Sequence, residues 1–390
     1  MPAGKRRTVA IVTGSRASYG IYVPVIEAIA KRKDLDYFLV VTGMHLMREF
    51  GGTIQEIKRD GWKIGAAVDM EWKKDSLAGQ AKAIGRALIG FTDVFERKKP
   101  DIVLVQGDRG ETIAAAIAAS HLNIPVAHMH GGEINHTIDE SNRHATTKYA
   151  HIHFPSTKKS RDRIIKMGER KEMVFLAGAA GIDGLPGKRL PKKSALAKKY
   201  GFDPSKPYAL VIQHPCSGET AQSGAQMGET LAAVKASGLQ AVVIYSNSDA
   251  GYGPMIREIK KAAKESKGIF AFPNVEHGDY LGLMKYAAVM AGNSSGAVLE
   301  APAFGLPAVN IGTRQDRRES AGNIINAGYK RGEILAGIKK ALSDKKFLAK
   351  AAGARSPYNP FGTADAGGRI AAVLAKVKID GKLLMKQISY

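Results

Sequence analysis

Short apolar runs recur along the chain. Each ends in a polar, glycine-rich loop, and a stretch of helical periodicity follows. Val9–Thr13 runs into Gly14-Ser15-Arg16, Leu35–Thr42 into Gly43-Met44-His45, Asp101–Gln106 into Gly107-Asp108-Arg109, and Ile124–His130 into Gly131-Gly132-Glu133. Ile152–Phe154 and Met173–Leu176 continue the series. Runs this short, apolar throughout and rich in β-branched residues, predict parallel strands buried on both faces. Between them, Tyr22–Lys31 and Thr112–Ser120 read as helices. The second is nearly all Ala and Ile, the composition of a helix packed tightly against a sheet.

After Gly178 the segment Ala179-Ala180-Gly181-Ile182-Asp183-Gly184-Leu185-Pro186-Gly187 reads as a hinge. A second series follows: Tyr208–Gln213, Gln240–Tyr245, Ile269–Phe272, Ala287–Ala291 and Ala308–Ile311. The expected fold class is α/β, with two doubly wound Rossmann-like domains facing a central cleft. Their expected extents are 1–178 and 179–363, and a helical tail, 364–390, is expected to pack back on the first. Ligand is expected in the cleft, at the carboxyl ends of the strands.

Composition narrows the function classes. The single cysteine, Cys216, excludes an intrachain disulfide and a cysteine-rich zinc site. It suits a reducing, cytoplasmic location. No apolar run approaches the ~20 residues that span a bilayer, so no membrane partner is expected. The basic start, Met1–Thr8, leads into an apolar run that breaks at Gly14-Ser15-Arg16, which is a first strand rather than a signal peptide. Lys and Arg exceed Asp and Glu by 58 to 36, a net charge of +22. Such a surplus attracts polyanions. Its clusters, at Lys188–Lys206, Arg257–Lys267 and Lys339–Lys350, mix with Ala, Leu and Ile at helical spacing and carry no interleaved aromatics. They read as solvated helix faces and not as a specific nucleic-acid groove. A small anionic substrate would gain from the same field.

The chemistry-bearing residues sit just after strands. In Gly14–Gly20, Arg16 offers a fork to phosphate and the following helix offers free amides. This loop matches neither the dinucleotide fingerprint nor a Walker loop. In Gln106–Thr112, Asp108 ends its strand facing the cleft, Arg109 pairs with it or holds phosphate, and Glu111 complements a helix N-terminus. From His128 to His144 there are four histidines and three acids in seventeen residues. Strand alternation puts His128 and His130 on one face. Two readings stay open here: a metal site, or acid/base work on a sugar-like ring. Asp139 with Arg143, and Glu140 with His144, are spaced for helical ion pairs. His151 and His153 read as buried structural histidines. His214, fixed by Pro215, suits a proton carrier or a hydrogen-bond donor to phosphate. In Gly292–Pro302, Ser294, Ser295 and the amides from Gly296 onward make a phosphate cradle that needs no metal, and Glu300 can accept both hydroxyls of a ribose. A last strand ends in Asn310–Gln315, with Arg314.

Thr13–Gly20, Gln106–Thr112, His128–Glu133, Ile138–Lys148, His214-Pro215, Gly292–Gly296 and Asn310–Gln315 together resemble the hydrolysing UDP-N-acetylglucosamine 2-epimerase family, in its sialic- and legionaminic-acid branch. They run in family order from residue 13 to 315. The resemblance implies the glycosyltransferase-B arrangement and the following roles. Asp108 and Asp139 are acid/base residues. His130 stands where several relatives carry a catalytic glutamate, and Glu133 is the nearby carboxylate that would compensate. His214 and Arg16 approach the leaving diphosphate. Ser294, Ser295 and Gly296 form the phosphate loop, Glu300 binds ribose, and Arg109, Asn247 and Arg314 add further contacts. No metal or other cofactor is implied, and a homodimer or homotetramer is. The implied reaction is anti elimination of UDP to a 2-acetamidoglycal, then water addition that inverts C2 and yields N-acetylmannosamine. Open alternatives are the same chemistry on UDP-2,4-diacetamido-2,4,6-trideoxy-glucose or a GDP-linked sugar, a retaining glycosyltransferase of the same fold, a polyanion-binding protein and a histidine-rich metal hydrolase.

Overall fold

The computed structural model describes residues 6–72 and 74–390. Met1–Lys5 of the basic start lie outside the described residues. Among the described residues twelve strands form two six-stranded parallel sheets. The first holds β1 (Arg7–Thr13), β2 (Leu35–Thr42), β3 (Ile64–Val68), β4 (Ile102–Gln106), β5 (Val126–Met129) and β6 (Ile152–Phe154). The second holds β7 (Tyr208–Ile212), β8 (Gln240–Ile244), β9 (Ile269–Phe272), β10 (Val289–Gly292), β11 (Ala308–Ile311) and β12 (Ile324–Ala327). Their orders are β3-β2-β1-β4-β5-β6 and β12-β11-β10-β7-β8-β9. Each sheet winds outward from its first strand and then restarts beside it. That places the switch points, and so the ligand crevices, at β1/β4 and β7/β10. The fold is the expected pair of doubly wound α/β units.

Helices cover both faces because the strands are apolar on both. Val9 and Ile11 of β1 share one core with Tyr22, Val25 and Ile29. Ala10 and Val12, pointing the other way, share a second with Phe91, Phe95 and Ala115. The second sheet repeats the pattern, with Leu210 on one side and Val211 on the other.

Two expectations fail locally, and two strands went unread. The first helix spans Arg16–Ala30, not Tyr22–Lys31, because Ser15 and Ser18 close a capping box at its start. Arg16 therefore lies in a helical first turn. Met173–Leu176 is not a strand and contributes only an isolated bridge from Val174 to His153. β3 and β12 carry no strong apolar run, since as edge strands they are only partly covered.

The tail helix Ala366–Lys376 packs on the helix Arg16–Ala30, adding Ile370, Ala371 and Leu374 to the core of the first sheet. The approach is close: a Cβ on Gly367 would lie 2.6 Å from the Pro24 carbonyl. Asp183 of the glycine-rich segment accepts the Ala366 and Gly367 amides at 2.9 and 2.7 Å and so caps this helix. Among the described residues no helix is long and apolar enough to cross a membrane.

Candidate active site

β4 ends at Gln106, and Gly107 turns the chain with φ +78°. Asp108 then meets two residues from beyond β5. Its Oδ2 accepts from Asn135 Nδ2 at 3.4 Å and pairs with the Arg143 guanidinium. Arg143 is buried in the helix Ile138–Tyr149, and its Nε and Nη1 have no partner. Burial, with Arg318 close by, lowers its pKa to about 9. The expected Asp139–Arg143 pair is thus replaced. Arg143 turns to Asp108, while Asp139 Oδ2 lies 3.6 Å from Arg314 Nη2 of the other sheet's loops. Glu140 and His144 do pair, at 3.6 Å. Asp139 sits in the first turn of its helix, buried, its amide capped by Thr137 Oγ1 at 3.2 Å. Burial, and then Asp249, push its pKa up to about 6.

The histidine-rich loop departs from strand alternation. β5 stops at Met129, and His130 takes a left-handed φ of +58°. A non-glycine residue pays for that conformation, which persists where surroundings over-determine it. His128 Nε2 bonds the Gly107 carbonyl at 2.8 Å, while His130 turns away to place Nδ1 2.9 Å from Glu133 Oε1. Ser156 Oγ donates to the same Glu133 oxygen at 2.6 Å, and Arg318 takes the other. Burial alone would raise Glu133, but Arg318, His130 and Ser156 outweigh it and hold the pKa near 2. Glu133 is therefore an ionised anchor for His130, whose Nε2 is buried and unpartnered. The histidines diverge to separate partners. Among the described residues no group of three or more His, Cys, Asp or Glu could hold a metal. His151 accepts the Val126 amide at 3.2 Å and His153 lies 3.1 Å from buried Glu169, both structural.

The second sheet supplies a different kind of site. Gly292 has φ +130°, and a Cβ there would sit 2.0 Å from the Ile212 carbonyl, so only glycine fits. The loop it starts is pinned: Asn293 accepts the His214 amide at 2.7 Å and donates to the His214 carbonyl at 2.9 Å. His214 Nδ1 accepts the Asn247 amide at 3.0 Å. Burial and the arginines Arg314, Arg109 and Arg16 push its pKa well down, so the ring is neutral and Nε2 carries the proton. Ser294 Oγ accepts the Gly296 amide at 3.3 Å. Glu300 is buried with Oε2 unpartnered, and burial raises its pKa to about 7. Arg16 reaches across from the first half to donate to the Val275 carbonyl at 2.7 Å, and lies 5.5 Å over the Tyr280 ring. Asn247 Nδ2 donates to Asp249 at 2.6 Å, and Arg314 Nη1 to the Asn293 carbonyl at 3.3 Å.

A family model described as UDP-N-acetylglucosamine 2-epimerase matches residues 27–375. The chain belongs to this family. It is 37% identical over 384 residues, 98% of this chain and 100% of the relative, to the UDP-N,N'-diacetylbacillosamine 2-epimerase (hydrolyzing) of Legionella pneumophila. It is 30% identical to the UDP-N-acetylglucosamine 2-epimerase of Neisseria meningitidis, over 87% of this chain and 88% of that one. The fold matches the crystal structure of a Neisseria meningitidis UDP-GlcNAc 2-epimerase bound to UDP-GlcNAc, with TM-score 0.78, 21% identity, and coverage of 95% and 100% of the two chains.

In this 2-epimerase family member one cavity between the sheets is lined by Arg16, Asp108, Arg109, His214, Asn247, Ser294, Ser295 and Arg314. Residues expected from six loops of sequence thus converge. His130, Glu133, Asp139, Gly296 and Glu300 do not line it and are buried. Sequence reading missed Asn135, Arg143, Arg318 and Asp249. Arg143 was visible only as a helical ion-pair partner. Asp249 closes the polar run after β8, but Arg318 gives no local signal.

Proposed function

We propose that this chain is a hydrolysing sugar-nucleotide 2-epimerase acting on a UDP-linked 2-acetamido sugar. One observation supports the reading: a single cleft holds a phosphate cradle and an acid together. Ser294, Ser295, His214 and Arg314 form one set on its wall, and the other set is Asp108, also on the wall, with Asp139 buried behind it, 3.6 Å from Arg314. A retaining glycosyltransferase needs the first set and has no use for the second.

In the proposed reaction the C2 proton passes to Asp108, through the carboxylate oxygen that Arg143 and Asn135 leave free. The C1–O bond breaks and UDP departs, leaving the 2-acetamidoglycal. His214 donates its Nε2–H to the leaving diphosphate, and Arg16 and Arg314 spread its growing charge. Being neutral, His214 donates without itself needing a counter-charge. Water then adds at C1, and Asp139, poised near neutrality, returns a proton to the opposite face of C2. Glu300 accepts the ribose hydroxyls. The cavity measures about 140 Å³, below the ~300–1,000 Å³ of typical ligand pockets. Substrate therefore binds as the two halves part, and they close over it.

The first sugar to test is the UDP-linked N,N'-diacetylbacillosamine, because the relative named for it matches across its full length. UDP-N-acetylglucosamine, giving N-acetylmannosamine, comes next. Incubation of each in D₂O, followed by NMR, should give stoichiometric UDP and a free C2-inverted sugar deuterated at C2. Product without deuterium, or UDP released only when an acceptor sugar is added, would sink the mechanism.

A further inference from the structure

The helix Tyr252–Glu265 of the second half begins without a cap of its own. Its N-cap is Gly251, at φ +96°, and its first turn carries neither an acid nor a capping side chain. The free amides at such a helix start need acceptors. Tyr252 donates to the Asp249 carbonyl at 3.1 Å, and Pro254 has no N–H to satisfy. The other two amides are satisfied from across the cleft. Gly251 donates to Asp75 Oδ1 at 2.6 Å, and Gly253 to Asp75 Oδ2 at 2.8 Å. Asp75 follows β3 of the first half and does not cap its own helix, Leu77–Lys98. Ser76 does that, accepting the Gly79 amide at 3.0 Å.

The first half grips the same edge at neighbouring points. Tyr252 donates to Glu49 at 2.9 Å and packs on Phe50, with ring centroids 5.2 Å apart. Glu56 accepts at 3.2 Å the amide of His277, the first residue of the helix His277–Tyr286, which also has no side-chain cap. Each of these contacts runs between the halves and is lost when they part. What Asp75 holds is the far end of the loop that follows β8. Its near end, Tyr245, Ser246 and Asn247, lines the cavity. There the Asn247 amide donates to His214 Nδ1 at 3.0 Å, and Asp249 Oδ1 lies 3.1 Å from Arg109 Nη1. One short loop therefore joins the ring that faces the leaving group to the contact that closes the cleft.

We propose that Asp75 is a positioning residue: it supplies the helix Tyr252–Glu265 with its cap only when the halves close, and so latches them over the glycal until water has added. This deepens the reading of the chain as a hydrolysing epimerase and rests on it. In the open molecule the Gly251 and Gly253 amides face water, and the loop that carries Asn247 loses its hold on the first half. In the closed molecule the carboxylate meets both amides at the positive end of the helix, where a negative charge is favoured. The loop is then drawn down and His214 is held against the leaving diphosphate. With the latch cut, the cleft opens after the C1–O bond has broken and the C2 proton has gone to Asp108. The product that escapes is then the 2-acetamidoglycal, one for each UDP.

D75A and G253A cut this contact from opposite sides. The first removes the acceptor. The second adds a methyl 2.8 Å from Asp75 Oδ2, while alanine favours the helix itself. Hydrogen–deuterium exchange of the Gly251 and Gly253 amides, read by mass spectrometry on the UDP-bound enzyme, reports the cap directly. Each variant should exchange there about fivefold faster than the parent. The double variant should exchange no faster than either single one, because both remove one interaction. During turnover, NMR should show free glycal among the products of each variant where the parent gives only hydrated sugar, and kcat for the hydrated sugar should fall about fivefold. A merely structural Asp75, supporting the start of its own helix, would lower the melting temperature in D75A alone and release no glycal from either variant. That result overturns the proposal, as does unchanged exchange in both variants. G253A keeps the test decisive where D75A fails to fold. Exchange needs UDP and no turnover. An active parent with unmoved exchange in the variants therefore refutes the latch alone, whereas a parent inactive on every sugar nucleotide refutes the reaction and the glycal-retaining role with it.

Discussion

The two halves repeat one topology, yet they build their contributions to the cleft by different means. The second half relies on backbone. Gly292 is forced by its φ of +130°, and the loop after it is pinned by Asn293 through main-chain atoms of His214. The first half relies on buried charged side chains that reach past their own elements. Asp108 takes Arg143 from a different helix, and Glu133 takes Arg318 from the other sheet's loops. Backbone cradles are local and cheap to specify, because amides are always present and only the turn must be encoded. Buried ion pairs are non-local and costly when halved, because removing one partner leaves the other charged and desolvated.

That contrast can be broken first at the acids. Asp108→Asn and Asp139→Asn should each cut turnover by roughly 10²–10⁴-fold while leaving UDP affinity near normal by calorimetry. Parent-like kcat in both would make them helix-start caps and nothing more. Next in size is Glu133→Gln, which strands Arg318 in the interior. A loss of about 3–5 kcal/mol in unfolding free energy is expected. If Glu133 is an anchor, the surviving activity keeps the parent's pH profile, whereas a lost limb would make it a proton carrier.

A third change probes the second half. Glu300→Gln should weaken UDP by roughly 1.5–3 kcal/mol. The sign of the pH dependence is also set. With a pKa raised to about 7 by burial, Glu300 is partly protonated near neutrality. Only the carboxylate accepts both ribose hydroxyls, so UDP affinity should rise as pH climbs through 7 and binding should release a proton. The Gln variant should flatten that slope, and a slope left intact would place the titrating group elsewhere. The smallest effect belongs to Glu140→Gln. Its pair with His144 is more than a third exposed on the glutamate side, so the melting temperature should hardly move. A large drop there would mean that charge placement around the cleft matters even at its rim.

Much of the fold was legible because its strands are buried on both faces. β1, β2, β4, β7 and β8 announce themselves by their apolar stretches, and their alternation with helices points to the doubly wound fold. The edge strands β3 and β12 escaped notice because they are only partly buried and their small or polar residues, Gly65, Ala66 and Ala67 in one and Asn326 in the other, give a weak signal. Site residues at strand ends were legible too, because topology alone delivers Asp108, His214 and Ser294 to one cleft. The first helix start was misplaced by six residues, as the Ser15–Ser18 capping box outweighs the weak helical character of Arg16–Ile21.

The α/β class, the two strand series, the five loops that carry chemistry and the family to which they point are all readable from the order of residues. These follow from periods of two and 3.6 residues and from the residue types that glycine turns demand. Partner choice among the buried charges was decided by tertiary structure alone. Asp139 and Arg143 stand four residues apart and look made for each other. Instead Arg143 goes to Asp108 and Asp139 faces Arg314, because each side chain answers to the loop packed against it and not to its neighbour along the helix. His130 likewise left the face that strand alternation assigned it once φ turned positive, and found Glu133. A buried charge is settled by whatever counter-charge shares its low-dielectric pocket, and that pocket exists only after two sheets and their loops have come together.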